Sequence, residues 1–507
     1  MEIPFLGPSY QGRSQNVDAT RCVNFFPEVS NSPFAKSKIT LVGCPGTSLF
    51  SAVGASPARA FHVFNGLLYV VSGNNLYAVD TNGNVSSLLY SFATYTGRMS
   101  IVDNGVASAG VGGNQILFVD GVYGYLYNSL SNTMLRSDKF TGANNQGPTA
   151  FVSNPRMATY QDGYFIVTNG TMNACVSDLF SGSSWGGLTI AVASTAPDNI
   201  QVPYSLNEQA YMIKEYTTQI FFNTGTATAL GQAFANVQGA LLDFGTPAPF
   251  SVARGVGSLF MLASTRGDNG PEFAGVVQLS GYQPIPVSTD AINYRMSQLY
   301  LYDAFGYCYS EAGHVFYVLT FPTSNATFVY DMMTKMWHER SSYQVSQPNM
   351  VNRHVSNCYA RFAGYHIVGD WQTQNLYIMA DNIYSDNGNP IVSFVIAPCV
   401  YDKDEMNNVF ITKLIIDAET GVGLDGGSST DTSDSDGVTN PMTTLSWSND
   451  EGHKWSSEYP AAMGKTGQYK IRLKWRRVGY SRNKVFKLQM SDKVKKILIN
   501  CFVEGSV

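Results

Sequence analysis

The chain has 507 residues, of which only 14% are charged, while Gly (47), Tyr (30) and Phe (29) are abundant. That length exceeds one ordinary core, and the composition excludes a helical bundle: few charges with many aromatics and glycines suit pleated surfaces joined by tight turns. The formal net charge of −5 divides unevenly, with +11 on residues 465–496 and −16 on everything else.

The first element in chain order is an irregular arm over residues 1–37, with several Pro, Asn and Ser, expected to run extended over a neighbouring surface. Its start, Met1-Glu-Ile-Pro-Phe5, lacks the basic and apolar regions of a signal peptide. No apolar run approaches the roughly 20 residues of a membrane helix, so no membrane insertion is expected and synthesis in the cytoplasm is.

From residue 38 to 399 one pattern recurs: a turn, an apolar strand, a second turn and an aromatic-rich strand. Units open at Gly66, Gly113, Gly163, Gln209, Gly257, Gly313 and Gly364, about 50 residues apart. A hairpin alone cannot bury its apolar face, so such units stack around an axis as propeller blades. Degenerate spacing leaves six or seven blades open. The fold class expected is all-β: a β-propeller with an extended N-terminal arm and an additional C-terminal β-unit.

Residues 400–507 change character and read as a separate β-unit or as one that closes the propeller. Asn407 to Asp417 alternates as a strand. The stretch 421–437 is polar and acidic, and is expected to be a flexible loop. Within it, Gly421, Gly423 and Gly426 match GxGxxG, but no helical periodicity follows to present an N-terminus to a pyrophosphate. Asp434-Ser-Asp436-Gly437 resembles part of a calcium loop, yet Thr432 and Thr443 stand where carboxylates are needed.

Ser448-Asn-Asp450-Glu-Gly452-His-Lys-Trp455 fits the SxDxGxxW pattern called an Asp-box. Its side chains are those a hairpin turn needs: Asp450 to accept turn amides, Gly452 for positive φ, Trp455 to pack beneath. A structural role is expected. Beyond it lies the basic stretch, with Lys474, Arg476, Arg477, Arg482, Lys484 and Lys487 as candidate interface residues for a partner of opposite charge.

Catalytic constellations are missing. The six His never fall in a ligand spacing, there is no GxSxG elbow, and there is no P-loop. His338, beside Trp337, is expected to be packed and hydrogen-bonded. Seven scattered cysteines (22, 44, 175, 308, 358, 399 and 501) without a CxxC pair argue for free thiols, not a disulfide framework or zinc site. The expectation is no enzyme, no cofactor and no metal.

Several stretches are similar to the tail nozzle or hub proteins, also called packaged-DNA stabilisation proteins, of short-tailed podovirus-type phages. They are Arg21-Cys-Val-Asn24-Phe-Phe-Pro27-Glu28 with Leu41-Val-Gly-Cys-Pro45-Gly46, and Ala233 to Gly239 running into Asp243-Phe-Gly245-Thr-Pro-Ala-Pro249. Gln283 to Asp290, Gly313-His314-Val-Phe-Tyr317, Tyr330-Asp331 with Trp337-His338-Glu339-Arg340, and Leu473 to Arg482 continue the likeness in order. Cys44, where Thr or Ser is expected, and the acidic loop depart from it.

The resemblance implies a hexameric ring of β-propeller subunits below the head-to-tail adaptor in the virion tail. Such a ring lines the DNA exit channel, helps retain and then release the genome, and carries fibres or spikes. Double-stranded DNA would pass only transiently, and an acidic bulk suits a bore that repels it, since each phosphate-neutralising cation adds affinity. Two rival readings are a glycan-binding receptor-recognition tail protein and a sialidase-like glycosidase. The single Asp-box and the absence of a dispersed arginine cluster weigh against the second.

Overall fold

The computed structural model describes residues 5–107, 112–142, 145–186, 189–191, 196–225, 233–268, 270–344, 347, 350–402, 407–423 and 440–506. Among these residues, seven four-stranded antiparallel blades form the propeller. The inner strands are Ala58–Phe64, Ser100–Asp103, Met157–Gln161, Ile200–Leu206, Ala253–Gly255, Phe305–Glu311 and Ser356–Phe362. Blades 1 to 6 are continuous in sequence. Blade 7 takes its fourth strand, Gly46–Ala52, from the N-terminal region, paired antiparallel to Asn375–Ala380, and Ser385–Asp386 extends that sheet beyond it. The ring is therefore closed by early residues, not by residues 400–507.

The repeating turns have a local cause. In blade 1, Asn65 and Gly66 join the first two strands with φ of 46° and 75°, and in blade 7 Ala363 and Gly364 do so at 50° and 84°. Positive φ at both central residues is the type I′ turn, whose twist matches that of paired strands. The same pair of positive φ angles recurs in blades 3, 5 and 6, at Asp162–Gly163, Val256–Gly257 and Ala312–Gly313.

Each blade buries both faces against its neighbours. Tyr69, Val71, Phe118 and Tyr125 pack between blades 1 and 2, and Leu68, Val70, Ile367 and Leu376 between blades 7 and 1. Equivalent clusters fill the other five junctions, so the apolar core is itself a closed ring.

A β-sandwich lies beside blades 6 and 7. One of its sheets runs Phe25–Val29, Ile39–Gly43, Ile497–Ser506, Val409–Ala418 and Leu473–Ser481. The other runs Arg21–Val23, Ser393–Ile396, Asn483–Met490, Met442–Ser448 and Tyr459–Ala462. Their inner faces meet over Phe25, Leu414, Ile416, Trp475, Phe486 and Leu488. The second sheet does not stop at its edge: Arg21–Val23 pairs parallel with Met336–Glu339, the outer strand of blade 6, at Val23 and Glu339. One hydrogen-bonded sheet thus runs from the propeller axis into the sandwich. The N-terminal arm, expected to run extended over a neighbouring surface, ends in strands that pair within this chain.

Candidate assembly interface

The junction of propeller and sandwich is built around Glu339, which is buried. Its carboxylate accepts from Arg21 Nη2 at 2.6 Å and Nε at 3.2 Å, and from Arg295 Nη1 and Nη2 at 2.6 and 2.8 Å. Ser9 Oγ adds a fifth bond at 3.0 Å. Burial alone would raise its pKa, but the two guanidinium groups outweigh that and hold it well below the usual carboxylate range. Arg295 comes from the helix Asp290–Ser297, so the cluster ties arm, helix and blade 6 together. Asn24, at φ 55°, reinforces it by donating to the carbonyls of Ser341 and Val392 at 2.7 and 2.9 Å. Sequence reading missed this cluster, although Arg21–Asn24 and Trp337–Arg340 had each stood out as motifs. The available signal was a charged Glu-Arg pair ending an otherwise apolar strand.

Beside the junction, His338 is fully buried next to Phe26 and Phe316. Neither ring nitrogen has a hydrogen-bond partner, which corrects the expectation for this side chain. Burial, then the charge of Arg340, push its pKa well down, so the ring is neutral. All seven cysteines are free, and among the described residues no group of His, Cys, Asp or Glu is arranged to hold a metal. No helix among them is long and apolar enough to cross a membrane.

The propeller axis is obstructed. A cleft of about 160 Å³ is lined by Arg59, Phe61, Arg98, Phe250, Phe305 and Tyr359, residues from blades 1, 6 and 7 and from the lead-ins to blades 2 and 5. Arg98 reaches from the lead-in of blade 2 to lie 3.4 Å over the Phe305 ring, and donates to the Asn357 carbonyl at 2.8 Å. That contact joins the lead-in of blade 2 to the inner strands of blades 6 and 7 across the centre of the ring.

The Asp-box residues form a hairpin turn on the sandwich. Ser448 Oγ donates to Asp450 Oδ1 at 2.6 Å and accepts from the Gly452 amide at 2.8 Å, while Asp450 Oδ1 accepts from the Lys454 amide at 2.8 Å. Gly452 has φ 101°, and Trp455 is half-buried beside it. Of the GxGxxG stretch, Gly421 and Gly423 are described, while Gly426, Thr432 and Asp434 to Gly437 lie outside the described residues.

The basic segment divides into two sets. Lys474, Arg476 and Arg477 are exposed on Leu473–Ser481, the edge strand of the five-stranded sheet, and Arg482 is exposed at its end. Arg477 sits at φ 57°, where the pairing with Val409–Ala418 shifts register. Lys484 points inward instead: it is buried, donates to the Val478 carbonyl at 2.7 Å, and burial lowers its pKa to about 8. Lys487 lies half-buried, 4.8 Å over the Phe394 ring. Strand alternation hid this split, because each inward lysine is sheltered by a different partner.

Two family profiles match the chain. One, described as bacteriophage P22 Gp10, beta-propeller, covers residues 1–384, and the other, described as bacteriophage P22 Gp10, beta-sandwich, covers residues 395–506. No curated protein matches significantly. Similar solved structures include the extracellular domain of the one-component system BT4673 from B. thetaiotaomicron, at 9% identity and a TM-score of 0.42. That alignment covers 66% of this chain and 39% of the BT4673 chain, so the protein spans about two fifths of that relative. The Neurospora crassa Pan2 WD40 domain aligns at 10% identity over 66% of this chain and 95% of its own, with a TM-score of 0.37. The RRP9 WD40 repeats align at 7% over 67% and 99%, with a TM-score of 0.38.

Proposed function

The chain belongs to the bacteriophage P22 Gp10 family, structural phage tail proteins that stabilise packaged DNA, and from that premise we propose that it is the subunit of a sixfold nozzle ring. The ring sits below the adaptor, its bore is the DNA exit channel, and its outer surface carries fibres or spikes. The protein acts by shape and charge, not by catalysis. The observation that carries the reading is the continuous sheet through Val23 and Glu339. It joins propeller and sandwich in one continuous sheet, the kind of stiff connection a pressure-bearing ring wall needs. The obstructed propeller axis supports the same conclusion from another side, because it leaves the space between subunits as the route for a duplex.

Electron microscopy of the purified protein, alone and mixed with portal–adaptor particles, tests the proposal. A sixfold ring with an axial channel docked below the adaptor is the expected result. Persistent monomers that ignore the adaptor would overturn it and turn attention to glycan binding.

A further inference from the structure

The outward face of the five-stranded sheet combines features that a free surface rarely combines. Its cross-strand rows follow from the register. Tyr480 pairs with Phe410, Arg476 with Lys413 and then Glu504, and Lys474 with Ile415 and then Phe502. Tyr480, Phe410 and Phe502 are 68%, 45% and 40% exposed. Three aromatics therefore stand in the open on adjacent strands, interleaved with Lys413, Lys474 and Arg476. The one carboxylate on these rows, Glu504, is already paired with Lys413. Aromatics and arginine are enriched at protein interfaces, with the charges at the rim.

We propose that this face is the contact through which one subunit grips the acidic surface of the next copy of this chain. The inference rests on the ring reading above and names the surface that would build it. A ring that closes by rotation needs a heterologous contact, in which one patch meets a different patch on the neighbour. The chain supplies both signs: Lys474, Arg476, Arg477 and Arg482 are exposed along this edge strand and at its end, while residues outside 465–496 carry a net −16. A second copy thus brings the complementary field, which steers association and fixes its register. A DNA-binding role fits less well, because Phe410 and Phe502 occupy positions where phosphates would need donors.

The test uses the full-length chain with two double variants, Lys474→Glu with Arg476→Glu, and Phe410→Ala with Phe502→Ala. All four side chains point to solvent, so unchanged circular dichroism and unfolding midpoints are expected. Ring population is measured by mass photometry across protein concentration, with and without portal–adaptor particles. Each double variant should raise the concentration for half-assembly by about 10-fold or more. Raising salt should weaken wild-type assembly in the same direction. Rings at the wild-type concentration for both variants would overturn the contact while leaving the ring reading intact. Normal rings that fail to dock would also overturn it, assigning the face to the adaptor. A wild-type chain that stays monomeric in every condition would remove the ring reading, and this contact with it.

Discussion

The carboxylate of Glu339 accepts both terminal nitrogens of Arg295, at 2.6 and 2.8 Å, while Arg21 approaches it from the N-terminal strand. A buried carboxylate held between two guanidinium groups leaves uncompensated charge if it is neutralised. Glu339→Gln should therefore cost about 3 kcal/mol or more in denaturant unfolding. The sign with pH follows from linkage. The folded pKa is depressed, so the stabilisation is complete above the unfolded value near 4.3 and is lost as pH falls below it. Wild type should lose stability between pH 4.5 and 2.5 more steeply than the Gln variant. Parallel curves would show that the cluster contributes little.

Asp386 has the opposite behaviour. It is buried beside Thr47, and burial raises its pKa from 3.8 to about 6. A folded state that binds the proton more tightly gains stability as pH falls from about 6 to 4, and loses it as pH rises through that window. A shift of that size corresponds to about 3 kcal/mol. Asp386→Asn should stabilise the protein at pH 7 and flatten the dependence between pH 4 and 6. The measurement is the difference in urea midpoint between variant and wild type at pH 4.5 and pH 7. A difference that does not change with pH would refute the assignment.

Blade 4 breaks the turn rule of its neighbours. Asn207 and Glu208 adopt φ of 50° and 61°, although neither is glycine. A non-glycine residue in that region costs roughly 1–2 kcal/mol, part of which the added freedom of glycine in the unfolded chain offsets. Glu208→Gly should thus stabilise by about 0.5–1 kcal/mol, whereas Gly364→Ala, at φ 84°, should destabilise by about 1. Thermal unfolding of the two variants side by side checks the contrast, and a destabilised Glu208→Gly would contradict it.

Those turns also explain what could be read from sequence. Type I′ glycines and the apolar strand after each are local signals, so the repeating hairpin units were legible, while their uneven spacing left six or seven blades open. The closure of blade 7 was not, because Gly46–Ala52 pairs with strands more than 300 residues away and nothing in its own pattern names that partner. Arg21–Val23 was hidden for the same reason: three residues are too few to show alternation, and what makes them a strand is the edge at Met336–Glu339. The basic stretch was visible as composition. Its division was not, since Lys484 is drawn inward by the Val478 carbonyl, a bond that exists only once Leu473–Ser481 and Asn483–Met490 are folded.

The N-terminal arm gives the last expectation. Removing residues 2–24 deletes Phe5 from the sandwich core, Ser9 and Arg21 from the Glu339 cluster, and the strand that joins blade 6 to Ser393–Ile396. Two strand edges and a buried carboxylate would then face water at once. An arm that only reached a neighbour could be removed with loss of assembly alone. Here the deletion should instead abolish folding of the sandwich, giving aggregation or a protease-sensitive C-terminal region while the blades, closed by Gly46–Ala52, keep their protection. Limited proteolysis with hydrogen exchange across residues 395–506 separates the two cases. Full protection of that region in a soluble truncated chain would show that the arm is dispensable for the fold and serves only contacts between subunits.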